Sequence, residues 1–205
     1  MKKTYLFFSG LFLILLAANC QFKQSNTDGS GGRYAEVVSG SGNNLSDRGA
    51  LVLNYLKNRN FKQLASLVHE DKGVTFSPYA FVEKQAVKFT AAQLKTLKLT
   101  DKFQWGYYDG SGEPMDLNVG DYFKKFVFDQ DFTRAPETGL NRLVKTGNTI
   151  SNLDKAFPGA RFIEYHFPGF NPQYEGIDWV SLRLVFEEVK GQLMLVGVVH
   201  DAWTI

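Results

Sequence analysis

The sequence predicts an α+β domain in which helices pack against one curved antiparallel sheet. Helical periodicity with capping residues runs through residues 45–97, and the same signals return at residues 118–127. The last third of the chain alternates apolar and polar residues over 161–167, 179–189 and 192–204, with turn residues between these segments. Helices early in the chain and long strands at its end are the order expected for helices packed on a sheet.

The composition fits one globular domain. The chain has 205 residues, of which 44% are hydrophobic and 15% aromatic, and this is enough apolar material for a single core. Lys and Arg number 23 against 21 Asp and Glu, and the two signs balance once Lys2 and Lys3 are removed with a signal segment. We expect no nucleic-acid partner, because phosphate affinity comes from clustered basic side chains. The single cysteine, Cys20, excludes an internal disulfide and a cysteine-cluster metal site.

Residues 1–19 have the order of a secretory signal. Lys2 and Lys3 precede an apolar run over residues 5–18, and small residues follow it. A helix that spans a bilayer needs about 20 mostly apolar residues, so this run is short for a permanent transmembrane anchor. The pattern therefore predicts a signal peptide that is removed.

The segment Leu16-Ala17-Ala18-Asn19-Cys20 resembles the lipobox of bacterial lipoproteins. Asn19 stands where the usual box has Gly, Ala or Ser. The resemblance implies that the Cys20 thiol carries a diacylglyceryl group, that palmitate is among its acyl chains, and that the protein is held on a membrane of the bacterial cell envelope. The alternative is a secreted protein with an incidental cysteine.

Residues 20–44 predict a flexible linker between the anchor and the domain. Between Gln21 and Asn44 there are five Gly, four Ser and three Asn, which favour solvated chain over packed structure. As a coil this length spans on the order of 25 to 30 Å. The domain then occupies residues 45–205.

Four capping signals place the early helices. Ser46 is predicted to cap the first helix and Asn60 the second. Thr90 with Gln93 forms a capping box, and Asn118 is predicted to cap a helix with an apolar face. Extended segments are expected at 74–79 and 103–108, and the chain over 129–152 predicts loop with one strand.

The last two strands predict a hairpin closed by Lys190-Gly191. A two-residue turn fixes the register, and each predicted pair then falls on one face of the sheet. The apolar face pairs Phe186 with Leu195, Leu182 with Val199, and Val180 with Asp201. The other face pairs Arg183 with Val198, Ser181 with His200, and Trp179 with Ala202.

Four segments resemble a family of uncharacterised bacterial envelope lipoproteins. They are FSPYA (76–80), WGYYDGSGEP (105–114), DYFKKFVFDQDF (121–132) and DWVSLRLVFEEVKGQLMLVGVVHDAWTI (178–205). The order of elements is similar to the NTF2-like cone, which implies a bent sheet wrapped with helices around a central cavity. The family offers no established catalytic residues, and NTF2-like domains include both enzymes and binding or dimerisation modules.

The hairpin carries the candidate pocket residues, which are Trp179, Ser181, Arg183, His200 and Asp201. A Ser181 and His200 pair has the types of a nucleophile and a base, but no orienting carboxylate or G-x-S-x-G turn accompanies it. Asp201 on an apolar face must be partnered or functional, and a buried carboxylate can serve as a general base. A polar patch that lines a cavity is the interpretation we favour.

Other groups of residues give weaker indications of a functional site. His69, His166 and His200 lack a metal-ligand spacing, so we expect no metal and no cofactor. Asp178 and Glu187 with Arg183 predict surface charge pairs or a general base, and the acidic loop at 109–116, like Asp129 with Asp131, does not match a calcium-binding loop. The aromatic residues fit either a ligand cavity or the core, and they are Trp105, Tyr107, Tyr108, Phe123, Phe126, Tyr165, Phe167 and Trp203.

Three functional hypotheses follow. The first is a membrane-anchored envelope lipoprotein whose domain binds a small apolar or aromatic ligand, or a protein partner, without doing chemistry. The second is a cavity enzyme of hydrolase or isomerase type that uses Asp201 or His200 as general base. The third is a homodimer formed through the sheet face of Trp179, Ser181 and Arg183.

Overall fold

The structure is a computed structural model that describes residues 44–204. These residues belong to one compact unit, Glu36–Ile205. The predicted signal peptide, the lipidation site Cys20 and the linker as far as residue 43 lie outside the described residues. None of the helices within residues 44–204 is long and apolar enough to cross a bilayer.

The α+β class predicted from the sequence is confirmed, with eight strands and five short or medium α-helices in the described range. The strands are β1 (Val74–Ser77), β2 (Lys88–Phe89), β3 (Lys102–Tyr107), β4 (Pro114–Asn118), β5 (Glu137–Leu140), β6 (Arg161–Phe167), β7 (Val180–Val189) and β8 (Gln192–Ala202). The helices are α1 (Leu45–Lys57), α2 (Phe61–Leu64), α3 (Ala91–Thr96), α4 (Val119–Phe126) and α5 (Leu153–Ala156). Short 3₁₀ helices lie at Ala65–Leu67, Phe132–Arg134 and Pro172–Tyr174.

Six strands form one sheet in the order β2-β1-β8-β7-β6-β5, and β3 with β4 forms a separate hairpin. The predicted antiparallel sheet is wrong at one junction, because β1 runs parallel to β8 while the other neighbours are antiparallel. More than a hundred residues separate β1 from β8, so no tight turn dictates their relative direction. The sheet is therefore mixed.

The predicted helix caps agree with the structure at three of four positions. The Thr90 hydroxyl accepts from the backbone N–H of Gln93, and the Gln93 side chain accepts from the N–H of Thr90, which completes the capping box. Asn118 and Asn60 cap α4 and α2. The prediction for α1 is wrong, since Asn44 is the cap and the N–H of Ser46 donates to its side chain.

One face of the sheet, which we call the helix face, packs against helices α1 to α4 and the β3–β4 hairpin. Aromatic rings fill much of the space there, and Trp105 stacks on Tyr122 with ring centroids 3.6 Å apart. Of the aromatic residues that fitted either a cavity or a core, most pack in or against this core, whereas Tyr107 and Trp203 are about half exposed. Packed aromatic side chains therefore form much of the core between the sheet and the helices.

A smaller apolar cluster covers the opposite face, which we call the strap face after the loop of residues 141–151 that lies over it. It consists of Val82, Leu153, Phe157, Val185, Val196 and Val199, with α5 contributing from above the sheet. Among the described residues, both clusters are formed by side chains of residues 45–202. Because these clusters cover both sides of the sheet, we treat the compact unit Glu36–Ile205 as one that folds on its own.

The register of β7 and β8 changes at a β-bulge. Phe186 lies opposite Leu195 as predicted, but Val185 lies opposite Gly197, so Val196 is an extra residue. Every pair beyond the bulge shifts by one position, and the other five predicted pairs are wrong. The observed pairs are Val180 with Ala202, Ser181 with Asp201, Leu182 with His200, Arg183 with Val199, and Leu184 with Val198.

Candidate functional site

The bulge places Asp201 on the strap face and His200 on the helix face, which reverses the prediction for both residues. Asp201 now lies opposite Ser181 and beside Arg183. Trp179 lies on the same face, where its ring contacts that of His166 at 5.8 Å between centroids. The structure therefore brings together four of the five predicted pocket residues and separates His200 from them.

Arg183 is the centre of the buried polar cluster, by which we mean Glu164, His166, Ser181, Arg183 and Asp201. Its side chain is fully buried. Nε donates to Glu164 Oε2 at 3.0 Å, and Nη2 donates to Asp201 Oδ2 at 2.7 Å. One guanidinium thus compensates two carboxylates that would otherwise be buried without a counter-charge.

Glu164, on the neighbouring strand β6, accepts three further hydrogen bonds besides the one from Arg183. Its carboxylate accepts from the Ser181 hydroxyl at 2.7 Å and from the backbone N–H groups of Val144 at 3.1 Å and Lys145 at 3.4 Å. The sequence analysis did not single out this residue. The available signal was a lone acidic residue in the alternating, otherwise mostly apolar segment 162–167, since such a residue faces inward only with a partner.

The hydrogen-bond directions in this cluster do not suit nucleophilic catalysis. The Ser181 hydroxyl donates to Glu164, so His166 Nδ1, 2.8 Å from the same oxygen, must carry the hydrogen and donate to it. A general base would have to accept the hydroxyl proton, as the histidine does in a serine hydrolase. Burial lowers the pKa of His166, which keeps the ring neutral near neutral pH.

Asp201 is buried, and its carboxylate accepts a hydrogen bond from Arg183. Burial raises the pKa of its carboxyl above the ordinary value, while the charge of Arg183 and the hydrogen bond from it act in the opposite direction. The nearby carboxylate of Glu164 adds to the rise. Burial is the largest of these effects on the pKa of Asp201, and it outweighs the opposing effect of Arg183.

The loop of residues 141–151, which we call the strap, covers the buried polar cluster. It joins β5 to α5, and its Lys145 carbonyl accepts from Arg183 Nη2 at 3.1 Å. Two glycines let it lie close to the sheet. A Cβ on Gly139 would collide with the backbone oxygen of Arg142, and one on Gly147 would lie 2.9 Å from the Trp179 ring. Arg183 and Glu164 therefore hold the strap through its backbone.

The strap also forms one side of a pocket of about 290 Å³. The pocket lies beside the polar cluster, because Val185 and Phe162 are each two residues along their strands from Arg183 and Glu164. Its walls are mostly apolar, and they include Leu143, Ser151, Phe157, Ala160, Phe162 and Val185. None of the five predicted pocket residues lines it.

Gly197 at the bulge determines where the Phe157 wall lies. A Cβ at Gly197 would come within 2.7 Å of the Phe157 ring, so the ring rests directly on the backbone of β8. The same bulge that moves Asp201 to the strap face thus also seats one wall of the pocket. The alternation of apolar and polar residues does not indicate the bulge, and the available signal was Gly197 itself, because a glycine inside a strand often marks one.

His200 lies in a different environment, against the helix face. Its Nδ1 is 3.2 Å from the Pro78 carbonyl oxygen, and its Nε2 is 3.2 Å from Asp129 Oδ2. The ring meets Phe126 edge to face at 5.7 Å between centroids. Both ring nitrogens face oxygen acceptors of the protein, so the geometry is that of a structural histidine.

The remaining candidates are structural in the described range. His69 Nδ1 accepts from the N–H groups of Asp71 and Lys72 at 3.2 Å, which stabilises the turn there. Asp178 accepts from two backbone N–H groups of the β6–β7 loop, and Glu187 pairs with Lys72 at 2.5 Å near the surface. No group of three or more His, Cys, Asp or Glu in residues 44–204 could hold a metal ion.

The three residues of the hypothetical dimer surface are not an outer face. Trp179, Ser181 and Arg183 are at most 2% exposed, because the strap and the neighbouring strands enclose them. A second copy of the chain could not reach them while the strap is in place. The correction follows from the strap, which the sequence predicted only as loop.

The comparisons with known proteins give no relatives. No family model matches the chain, and neither a curated protein nor a solved structure matches it.

Proposed function

We propose that residues 36–205 form a non-catalytic binding module for a small, mostly apolar ligand, carried by a membrane-anchored lipoprotein of the bacterial cell envelope. The observation that carries this proposal is the pocket of about 290 Å³ between the strap, α5 and the sheet. Its volume is close to the lower end of the range typical of small-molecule sites, about 300 Å³. Its apolar walls favour a ligand that gains by leaving water.

The arrangement next to the pocket supports binding rather than chemistry. The buried polar cluster directs its hydrogen bonds to its own members and to the strap backbone. Neither Asp201 nor His200, the general bases of the alternative hypothesis, is among the residues that line the pocket. A general base must reach the proton it abstracts, so neither of the two bases that the cavity-enzyme hypothesis names is placed to act at this pocket.

The membrane anchor and the NTF2-like cone are parts of this proposal. The lipobox-like segment that ends at Cys20 supports the anchor. Helices packed on one face of a sheet whose last four strands form an antiparallel meander support the cone. The ligand pocket, however, is on the strap face, while aromatic side chains fill the helix face.

Native mass spectrometry of residues 36–205, purified gently from the source cells, tests the proposed function. We expect an adduct that disappears in Ala160→Phe, because the added ring occupies the pocket. Ala135→Phe is the matched control, since Ala135 is also half-buried in a loop but packs against the helix-face core. An adduct that persists in Ala160→Phe, or no adduct even after incubation with an extract of small molecules, would contradict the proposal.

A further inference from the structure

We infer that one end of the sheet rests on the surface of the membrane that carries the protein, where exposed apolar side chains contact lipid without net charge. This inference rests on the membrane anchor of the proposed function and deepens it by naming a second contact with the same membrane. Three observations carry it: where the exposed apolar side chains lie, which residues surround them, and how much chain separates Cys20 from the domain.

Most of the exposed large apolar side chains lie at one end of the six-stranded sheet. The β6–β7 loop leaves the sheet after Phe167, which pairs with Val180, and Val180 pairs with Ala202 at the end of β8. Because β1 runs parallel to β8, the chain after β1 leaves the sheet at this end too. Six of the nine large apolar side chains that are exposed within residues 44–204 follow these strands or lie on the strap. We call them the apolar rim, and they are Phe81, Ile150, Phe170, Tyr174, Ile177 and Trp203.

Hydrogen bonds join the segments that carry the apolar rim. The side chain of Asn152 accepts from the Val82 N–H at 2.8 Å and donates to the Val82 carbonyl oxygen at 3.1 Å, which ties the loop after β1 to the end of the strap. Asn148 Nδ2 donates to the Thr204 carbonyl oxygen at 2.6 Å, which ties the strap to the chain after β8. Ile150 lies between these two ties. The rim is therefore one surface, unlike the single apolar side chains that are scattered over any protein.

The residue types at the apolar rim favour contact with lipid. Trp203 and Tyr174 have large rings with one polar atom, and such side chains concentrate where lipid meets water. The surrounding segments contain no Lys or Arg, and their two acidic residues are Glu175 and Asp178. These segments are 78–82, 146–152, 168–178 and 202–204. Anionic headgroups are attracted by clustered basic side chains, so the rim suits lipid without net charge.

The chain that precedes the domain is long enough to let the apolar rim reach the membrane. Twenty-three residues separate Cys20 from Asn44, where the described residues begin. A fully extended chain of this length reaches about 75–80 Å. The longest strand of the sheet, β8 with 11 residues, spans only about 36 Å. The rim can therefore face the bilayer from whichever end of the sheet the linker approaches.

The same linker makes a weak contact sufficient. A module that is tied to its partner by a short flexible linker meets it at an effective concentration on the order of millimolar. A few half-exposed side chains, too few to hold a free protein on a bilayer, can then keep the domain at the surface. A second copy of the chain has to arrive by diffusion, whereas the anchor keeps the membrane close at all times.

Tryptophan fluorescence on vesicles tests the inference, because Trp203 is about half exposed whereas Trp105 and Trp179, the other tryptophans, are at most 2% exposed. Residues 21–205, with a hexahistidine segment in place of residues 1–20, are attached to phosphatidylcholine vesicles through a nickel-chelating lipid. We expect brominated acyl chains to quench the Trp203 emission relative to the same vesicles without bromine. Added phosphatidylglycerol should leave the quenching unchanged or lower it. Absent quenching, or quenching that grows with phosphatidylglycerol, would overturn the inference.

Variants of the apolar rim show which side chains make the contact. Ile150→Ser changes the strap and Tyr174→Ser changes the β6–β7 loop, and both residues are exposed, so neither change disturbs the core. Each should lower the equilibrium constant of the surface contact about three- to tenfold, because one large, partly exposed apolar side chain no longer leaves water. Leu140→Ser is the matched control, since Leu140 is also half exposed but lies on β5 opposite Ile163, away from the rim. Equal losses in all three variants would contradict the assignment to the rim.

Sedimentation equilibrium of residues 21–205 without vesicles examines a second copy of the chain as the occupant. We expect a monomer at micromolar concentration. A dimer that Ile150→Ser and Tyr174→Ser both dissociate would overturn the lipid contact and make the apolar rim an interface between copies.

The outcomes also separate this inference from the proposed function, because the hexahistidine attachment does not depend on lipidation. Absent quenching, together with labelled palmitate on Cys20 and an adduct that Ala160→Phe removes, rejects the surface contact and leaves the proposed function standing. Quenching that Ile150→Ser weakens, together with a Cys20→Ala protein that fractionates as the native protein does, supports the surface contact and rejects the proposed anchor.

Discussion

Arg183 holds two carboxylates and a strap carbonyl in a place from which water is excluded. Removing its charge while Glu164 and Asp201 remain would leave buried acidic groups without compensation. We expect Arg183→Met to lower the free energy of unfolding by about 3–5 kcal/mol, the usual cost of breaking a buried ion pair from one side. Urea denaturation of residues 36–205 measures this.

The control for this prediction is Arg161→Met. Arg161 also lies in the sheet, at the start of β6, but it is only half-buried and makes no ion pair with a described residue. Its loss should change the free energy of unfolding by less than about 0.5 kcal/mol. Similar losses in the two variants would mean that the charge cluster contributes nothing beyond side-chain packing.

Asp201 makes the stability depend on pH in a direction opposite to that of most acidic residues. Burial raises the pKa of its carboxyl in the folded state above the value of about 3.9 in the unfolded chain. The folded state therefore binds the proton more strongly, and stability contributed by the protonated form is lost as pH rises from about 4 through the raised pKa. Relative to Asp201→Asn, the native chain should become less stable over that interval.

Asp131 provides the comparison of opposite sign. The hydrogen bond from Lys57 lowers the pKa of the Asp131 carboxyl, so its contribution is present above the unfolded pKa and is lost as pH falls. Chemical denaturation from about pH 2 to pH 8 of the native chain, Asp201→Asn and Asp131→Asn measures both differences, since the Asp131 contribution is lost below about pH 4 and the Asp201 contribution above it. A stability difference between the native chain and Asp201→Asn that stays constant or grows with pH would refute the direction given for Asp201.

Individual residues were predictable where the interaction is local. Thr90 and Asn118 cap their helices because the bonded groups lie within three residues, which a sequence displays directly. Glu164 and Arg183 are 19 residues apart in the chain and lie on adjacent strands. Whether Asp201 on β8 joins them depends on the register of that strand. Side chains whose partners are set by register cannot be paired from the sequence before the register is known.

At the scale of elements, the β8 bulge has the largest consequence. It brings Asp201 to Arg183 and lets the Phe157 ring rest on Gly197. We expect Gly197→Ala to lower the free energy of unfolding by about 1–3 kcal/mol, because the new methyl group collides with the ring in a tightly packed place. Thermal and urea unfolding of residues 36–205 measure the loss.

A double-mutant cycle shows whether that cost comes from the collision. In a Phe157→Leu background the ring is absent, so Gly197→Ala should cost clearly less than it does in the native chain. Additive effects of the two substitutions would indicate that glycine serves the strand backbone itself and that the ring does not depend on it.

The hairpin shows how far element prediction reached. Its turn at Lys190-Gly191 and the pair Phe186 with Leu195 are confirmed, because a short turn fixes the pairs next to it. The error begins one pair later, where one extra residue reverses the face of every following side chain. The strap was predicted only as loop, since its order comes from contacts with Glu164 and Arg183 and not from its own residues.

At the scale of the whole molecule, the class was predictable but the sheet order was not. Segment periodicity and turn signals predicted the early helices, α4, β1, β3 and the last three strands in the observed order, whereas β2, β4 and α5 were not predicted. The parallel contact of β1 with β8 joins residues more than a hundred positions apart, and nothing local in either segment specifies it.

The proposed attachment of the protein to a membrane depends on Cys20. We expect the native protein to sediment with membranes and to incorporate labelled palmitate, because acyl chains contribute about 0.8 kcal/mol for each buried methylene and two or more chains anchor stably. Cys20→Ala should lose the label and leave the cysteine-dependent membrane pool. Asn19→Gly is the matched control, since it changes the neighbouring residue to one usual before a lipidated cysteine and should keep or increase labelling. A Cys20→Ala protein that fractionates as the native protein does would show that attachment, if present, comes from another part of the chain.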